Sequence, residues 1–392
     1  MTSKSRSRTN ASAKAPSSKT YEVHWQGLLN DYITALAWSP DGTYLAASSA
    51  KGEVLLWSDE RQISVLSGES EPEKPKPEKS EPGEFEPGEF EPRESGRAIN
   101  CLGFSSDGDY LAAAGQQGEV FIWQVQSLDQ PNSQPVNVLQ NSHCWVDRLA
   151  WHPTQPWLAF GAGSQVQVWD VTRAERLTAQ DFAASSVLGL AWHPQGTLLA
   201  VSGHGGVKVW RSDDWDAEPE FTEVPGASVA VAWSLDGQYL ASGNLDRTLT
   251  VVAWDKPPPW LMQGFPGKVR QVVWSPTVKG QAAAIAAACL DGITIWRRQG
   301  NNWQSQVLQQ HRQTVVAIAF HPTHPLLASA AQDGQVCLWQ NAKSLQQTLK
   351  GVSQGFSSLA WHPQGSYLAA GGDQGELIIW APSNRGQGFQ KR

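Results

Sequence analysis

The sequence predicts an all-β fold: an eight-bladed propeller, with seven blades as the alternative, and four antiparallel strands per blade. Three observations carry this. The phrase Leu36-Ala37-Trp38-Ser39-Pro40-Asp41-Gly42 returns eight times with small changes, its aromatic falling at Trp38, Phe104, Trp151, Trp192, Trp233, Trp274, Phe320 and Trp361. A second tryptophan follows each copy, at Trp57, Trp123, Trp169, Trp210, Trp254, Trp296, Trp339 and Trp380. The chain ends complement each other, because the last repeat lacks an outer strand and the first is preceded by one spare strand. A fixed period of this length marks stacked supersecondary units that share a core. From Trp151 through Trp192 and Trp233 to Trp274 each step is 41 residues.

Taken in chain order, residues 1–20 come first. They are rich in Ser, Lys, Arg and Ala, hold no acid and carry a charge of +5. They read as a disordered basic tail, with a transit peptide or a weak nucleic-acid tether as the sharper alternatives. Tyr21-Glu22-Val23-His24-Trp25-Gln26 alternates apolar and polar residues, as a half-exposed strand does. It is expected to form the outer strand of the last blade, which would join the chain ends and cover an open sheet edge.

One repeat illustrates the others. Thr314–Phe320 is a β-branched and apolar run, the pattern of a strand buried on both faces. His321-Pro322-Thr323-His324-Pro325 is a turn, because its prolines cannot donate to a ladder. Leu326–Ala331 is a second strand of small residues. Gln332-Asp333-Gly334 is a tight turn, Gln335–Trp339 a third strand, and Ser344–Leu349 a polar outer strand. Short antiparallel strands whose polarity rises outward describe a propeller blade. The apolar run Ala282–Cys289 reads likewise as one buried strand.

This repeat resembles the WD-repeat family. Its marks are His311 before the first strand, Ser329 on the second, Asp333 in the tight turn and Trp339 ending the third. The resemblance covers residues 21–381 and implies that these four side chains form a buried network tying the strands together. Elsewhere the pattern departs. At the second aromatic mark, Trp-Asp survives only at Trp169-Asp170 and Trp254-Asp255. The turn aspartate appears as Asp246, Asp291 and Asp333, with Lys51, Gln117 or a glycine-rich turn in the other repeats. Repeats without the full network are expected to rest on aromatic packing and to open more readily.

Ser67–Gly96 breaks the period. It holds ten Glu against three Lys and one Arg, and so contributes −6 to a chain total of −7. Its prolines and like charges predict disorder. Glu-Pro-Gly-Glu-Phe occurs twice within it, ending at Phe85 and Phe90. The segment is either a solvated loop or an acidic-aromatic ligand for a basic groove, in cis or in trans. The domain plan is therefore a tail over 1–20, a propeller over 21–381 interrupted at 67–96, and a C-terminal tail over 382–392.

The loops before the inner strands offer residue types enriched at interfaces. The candidate partner contacts are Tyr32, Arg97, Trp145, Arg148, Lys268, Arg270 and Arg312, together with Phe85 and Phe90. Ser228 and Phe356 occupy equivalent loop positions. The five bases among them are expected to favour an anionic peptide at the channel mouth.

No motif of a nucleotide loop, zinc protease helix, nucleophile elbow or paired Cys-x-x-Cys is present. No catalytic, cofactor-binding or metal residue is therefore assigned. His152, His193, His321 and His362 each precede a proline in a turn, and a turn role outweighs ligation. Cys101, Cys144, Cys289 and Cys337 sit in separate repeats, as free thiols in a reducing compartment would. No apolar run is long enough to span a bilayer.

The reading is a cytoplasmic, non-enzymatic scaffold that binds proteins or peptides and needs no cofactor. It is expected as a monomeric ring, alone or inside a larger complex. Two alternatives stand beside it. One is a channel-bound cofactor enzyme resembling quinone-dependent dehydrogenases. The other is a nucleic-acid adaptor working through the tail, which the net charge disfavours.

Overall fold

The computed structural model describes residues 20–383 apart from 59–60, 67–97, 129–132, 142–143, 183–184, 255, 257, 278–282 and 301. The acidic segment, with Phe85 and Phe90, and Arg97 thus lie outside the described residues, as does nearly all of the basic tail.

The described chain is β throughout apart from one short 3-10 turn at Val125–Ser127. Repeat one supplies Ile33–Trp38, Tyr44–Ser49, Val54–Ser58 and Arg61–Leu66, hydrogen-bonded in that order. Repeats two, three, six and seven follow the same plan. In repeat seven the strands are Val315–Phe320, Leu327–Ala331, Gln335–Gln340 and Ser344–Lys350, within a residue of the sequence reading. Ala284–Cys289 is buried along its whole length, as its apolar run requires.

The strands group into six sheets of four and one of six. Counted by strand connectivity the propeller therefore has seven sheets. This corrects the expectation of eight separate blades and agrees with the smaller number. The reason lies in repeats four and five. Leu198–Arg211 and Glu220–Trp233 are each continuous strands of 14 residues, where the other repeats break the chain. The sequence Gly203-His204-Gly205-Gly206 lets the backbone turn without leaving extended conformation at most positions, Gly205 taking φ +84°. Glu220–Glu223 pairs with the first of these strands and Ser228–Trp233 pairs with Tyr239–Asn244, so one strand serves both repeats. Even so, the two repeats pack face to face, with Val207 and Val209 against Trp233 and Leu240.

Between consecutive repeats lies a core of the same composition. Ala46, Val54 and Leu56 of repeat one meet Phe104, Leu111 and Trp123 of repeat two. Val336 and Leu338 of repeat seven meet Leu368, Ile378 and Trp380 of repeat eight. Small residues on the second strands allow the close approach, and the indole of the third strand fills the wedge. A buried indole of ~150–250 Å² contributes roughly 4–6 kcal/mol gross, before chain entropy opposes it.

Two polar links repeat around the ring. The indole N–H of the first aromatic mark donates to an inner-strand carbonyl of the repeat before it: Trp151 to Gly103 at 2.8 Å, Trp192 to Ala150 at 3.0 Å, Trp233 to Ala191 at 3.2 Å, Trp274 to Ala232 at 3.0 Å and Trp361 to Ala319 at 3.1 Å. The turn histidines link forward. Nε2 of His152 meets Gly196 O at 3.0 Å, and the same contact joins His193 to Gly237 and His321 to Gly365. Nδ1 of His152 accepts from the backbone N–H groups of Thr154 and Gln155, which fixes the neutral Nε2–H form. The histidines thus stitch neighbours together through their turns, and no group of three or more metal-ligating side chains occurs among the described residues.

The ring closes on its own N-terminus. Tyr21–Leu28 pairs antiparallel with Glu376–Pro382, the third strand of the last repeat, and the final sheet runs in the order Tyr21–Leu28, Glu376–Pro382, Leu368–Gly372, Phe356–Trp361. Ser383 N donates to Thr20 O, so the pairing extends past the expected boundary at Ala381. Gln347, on the outer strand of repeat seven, clamps the backbone of Tyr21 from both sides at 2.8 and 2.7 Å. His362 reaches across the seam to Gly42 O at 3.2 Å.

Burial lowers the proton affinity of His152, His311 and His362, even though Gly196 O, Asp333 and Gly42 O respectively favour the charged form. The unfolded chain therefore takes up more protons than the folded one once the pH falls below about 6.5. The stability these residues allow is complete above that value and is lost as pH falls through their folded values. The melting temperature is expected to drop between pH 7 and pH 5. An unchanged melting temperature over that interval would show that the turn histidines titrate as they do in the unfolded chain.

Candidate functional site

Six of the candidate contacts lie among the described residues, and all of them are exposed to some degree. Tyr32 is 39% exposed and Trp145 62% exposed. Arg148, Lys268, Arg270 and Arg312 are exposed as well. Each precedes an inner strand, so these loops emerge on one face of the ring. Four successive repeats contribute to a cleft of about 350 Å³ on that face: Tyr32 and Thr34 from repeat one, Asn100 from two, Asp147 and Arg148 from three, and Val187 and Leu188 from four.

Hydrogen bonds that cross between repeats hold the cleft. Thr34 Oγ1 donates to Ile99 O and contacts Ser48 Oγ at 2.8 Å. Asn100 Nδ2 donates to Asp147 Oδ1 at 2.5 Å. Arg148 Nε donates to Leu188 O at 3.0 Å and its Nη1 to Asp147 O at 2.9 Å. Arg148 is thus a strut between repeats three and four, with part of its donor fork already committed. The structure does not bring the bases together. Lys268, Arg270 and Arg312 belong to repeats six and seven, away from the Arg148 cleft, and carboxylates share the rim.

Asp373 is one of these carboxylates. Burial, with Glu376 adding to it, raises the Asp373 carboxyl above its ordinary value. Burial also raises the Tyr32 phenol, with a smaller contribution from Asp373. The mouth is therefore of mixed charge, which corrects the picture of a basic ring. Phe356 and Ser228 are not rim contacts either. Phe356 is buried edge-on to Trp380, and Ser228 bonds Ser242 at 2.7 Å.

Beneath the face, His311, Ser329, Asp333 and Trp339 form one network. Trp339 Nε1 donates to Ser329 Oγ at 2.8 Å, and Ser329 Oγ meets His311 Nε2 at 2.8 Å. His311 Nδ1 lies 3.3 Å from both Asp333 oxygens. A carboxylate only accepts, so the imidazole carries its proton on Nδ1 and the serine donates to Nε2. Asp333 also accepts from the N–H groups of Arg312 and Gln335, which fixes the loop that presents Arg312.

Other repeats solve the same problem differently, which sequence reasoning missed. Repeat five buries a chain of Ser228, Ser242, Asn244, Thr248 and Thr250, with Asp246 accepting from Thr248. Repeat one ties Ser49 and Asn30 to Glu53. The clustered hydroxyls at alternate positions, Ser242-Gly243-Asn244 and Thr248-Leu249-Thr250, were the available signal. In repeats two and six, by contrast, the buried N–H groups of Trp123 and Trp296 have no partner.

Comparison with known proteins agrees with this geometry. The WD domain, G-beta repeat pattern matches residues 16–58, 89–124, 133–170, 176–211 and 222–255. The pattern of the IFT140 first beta-propeller matches residues 263–392. The chain belongs to the WD-repeat β-propeller family. It is similar to the transcriptional corepressor LEUNIG_HOMOLOG of Arabidopsis thaliana, at 25% identity over 66% of this chain and 32% of that protein. It is also similar to the protein transport protein SEC13 homolog B of Arabidopsis thaliana, at 32% identity over 30% of this chain and 42% of the relative. A third relative is the protein transport protein SEC13 of Pyricularia oryzae, at 30% identity over 30% of this chain and 44% of the relative. The chain spans less than half the length of these relatives. No helix among the described residues is long and apolar enough to cross a membrane.

Proposed function

We propose that this WD-repeat propeller is a non-enzymatic scaffold that binds a partner protein or peptide over the cleft between Tyr32 and Arg148. One observation carries the reading. Side chains from four successive repeats converge there on a cleft braced by hydrogen bonds between repeats, so its shape is set before a partner arrives. A preformed surface lowers the ordering cost of binding. Tyr32 and Trp145 supply rigid aromatic area at low entropy cost, the kind that dominates interface energetics. The relatives' names describe corepression and protein transport, and they support a binding function without specifying this chain's partner.

The four cysteines are free thiols, and burial pushes Cys337 up to about 12. Cys289 and Cys337 are buried, and free thiols of this kind suit a reducing compartment and support a cytoplasmic placement.

Affinity purification from native cells tests the function. A Tyr32→Ala, Trp145→Ala variant, changed at two exposed side chains that do not brace the cleft, is expected to lose the proteins that co-purify with the wild type while keeping its melting temperature within a few degrees. An unchanged set of partners would place binding elsewhere on the ring.

A further inference from the structure

A second concave surface lies on the opposite face. In a four-stranded antiparallel sheet, the loops joining strands one to two and three to four emerge at the edge away from the mouth. Such loops of repeats four and five, with Arg298 of repeat six, border a groove of about 820 Å³. Its apolar lining comes from Tyr239, Trp254 and Trp260, with Pro258 and Pro259 exposed beside them. Leu235 and Leu261, 59% and 46% exposed, extend apolar surface next to it in sequence.

Arg298 lies 5.7 Å from the Tyr239 ring centre and 5.5 Å from that of Trp260, and it donates to Gly300 O and to the Tyr239 hydroxyl. Lys256 adds a second, exposed cation. The carboxylate of Asp236 already accepts from Ser234 Oγ and Gln238 N, closing its own turn. Aromatic walls with two cations suit an extended peptide that offers proline, an aromatic ring and carboxylates. Aromatic-lined grooves of this kind recognise preformed proline-rich segments.

The chain itself carries such a peptide. Glu81–Phe90 reads Glu-Pro-Gly-Glu-Phe twice, with four Glu and no base. It cannot reach the groove of its own ring. Ala98 is anchored in repeat two, where its carbonyl accepts from Gln116. The eight residues from Phe90 to Ala98 extend at most about 28 Å. The path must cross the ring's height of roughly 20 Å and also make three sheet-to-sheet steps of roughly 10 Å each, from repeat two to repeat five. We propose that the groove around Trp260, Lys256 and Arg298 receives Glu81–Phe90 of a second copy of the chain. Such a contact joins unlike surfaces, so it builds rings or open chains of subunits.

The test uses the full chain and a labelled synthetic peptide of Glu81–Phe90. Light scattering should show mass rising with protein concentration, and excess peptide should return it to one chain. Lys256→Glu, at an exposed position that leaves the fold intact, should weaken peptide binding at least tenfold and lower the mass. A peptide carrying Lys for Glu84 and Glu89 should bind that variant better than the original peptide does. A peptide that fails to bind overturns the proposal. So does a peptide that binds while the protein stays one chain at all concentrations, an outcome that assigns the groove to a foreign peptide. Self-association that survives in both Lys256→Glu and Trp260→Ala overturns it as well.

Discussion

Removing residues 1–27 is expected to lower the melting temperature by well over 10 °C or to abolish folding, while removing residues 1–18 should change it little. The first truncation deletes the strand that pairs with Glu376–Pro382 and exposes that strand as a free edge. It removes Tyr21, only 6% exposed and part of the core that also holds Phe356, Leu368 and Trp380. It also strips both partners from the amide of Gln347 and uncovers Trp57, which packs edge-on to Trp25 at 5.9 Å. Loss of one such strand removes several kcal/mol of apolar burial from a ring whose net stability is on the order of 5–15 kcal/mol. Equal melting temperatures for the two truncations would mean that the ring does not depend on its seam.

Trp380→Ala is the second large effect. The indole is 1% exposed and sits between repeats seven and eight, so truncation leaves a cavity that rigid sheets cannot close. A loss of about 3–5 kcal/mol is expected. The tryptophans are not equivalent, however, and replacement by phenylalanine separates them. Trp339→Phe removes the donor to Ser329 and disturbs the network that includes His311 and Asp333, for about 1–3 kcal/mol. Trp123→Phe removes a buried N–H that has no partner, so it should cost less than Trp339→Phe. Chemical denaturation of the three variants measures this directly, and equal losses for the two phenylalanine variants would contradict the network's energetic role.

The sequence made the fold legible because the period and the indole wedges express the same constraint. Each sheet buries both faces against its neighbours, so every repeat must present small residues on the second strand and an aromatic on the third. The closing strand was legible from the missing outer strand after Trp380 and the alternation at Tyr21–Gln26. The sheet count was not. Whether Gly203–Gly206 breaks one strand from the next depends on backbone angles that glycine leaves open, and the local sequence does not fix them.

The candidate site was only partly legible. Spacing placed Tyr32, Trp145 and Arg148 on the rim, but it could not show that Arg148 spends donors on Leu188 and Asp147. Nor could it show that Phe356 turns inward, because strand-end direction is set by packing against Trp380. The groove at Trp260 was missed for a different reason. Its residues come from three repeats and converge only once the ring is formed.

The central claim is that the chain's own N-terminal strand completes the last sheet and fixes the ring as a rigid platform. Glu22 and Ala381 are direct partners in that pairing. Paired positions on adjacent strands lie at about 4.5–5.5 Å between Cα atoms, within disulfide range. A chain carrying Glu22→Cys and Ala381→Cys should form an intramolecular disulfide under mild oxidation and melt at a higher temperature than its reduced form. Thiols that stay free at those two positions, or that cross-link only between chains, would contradict the closure.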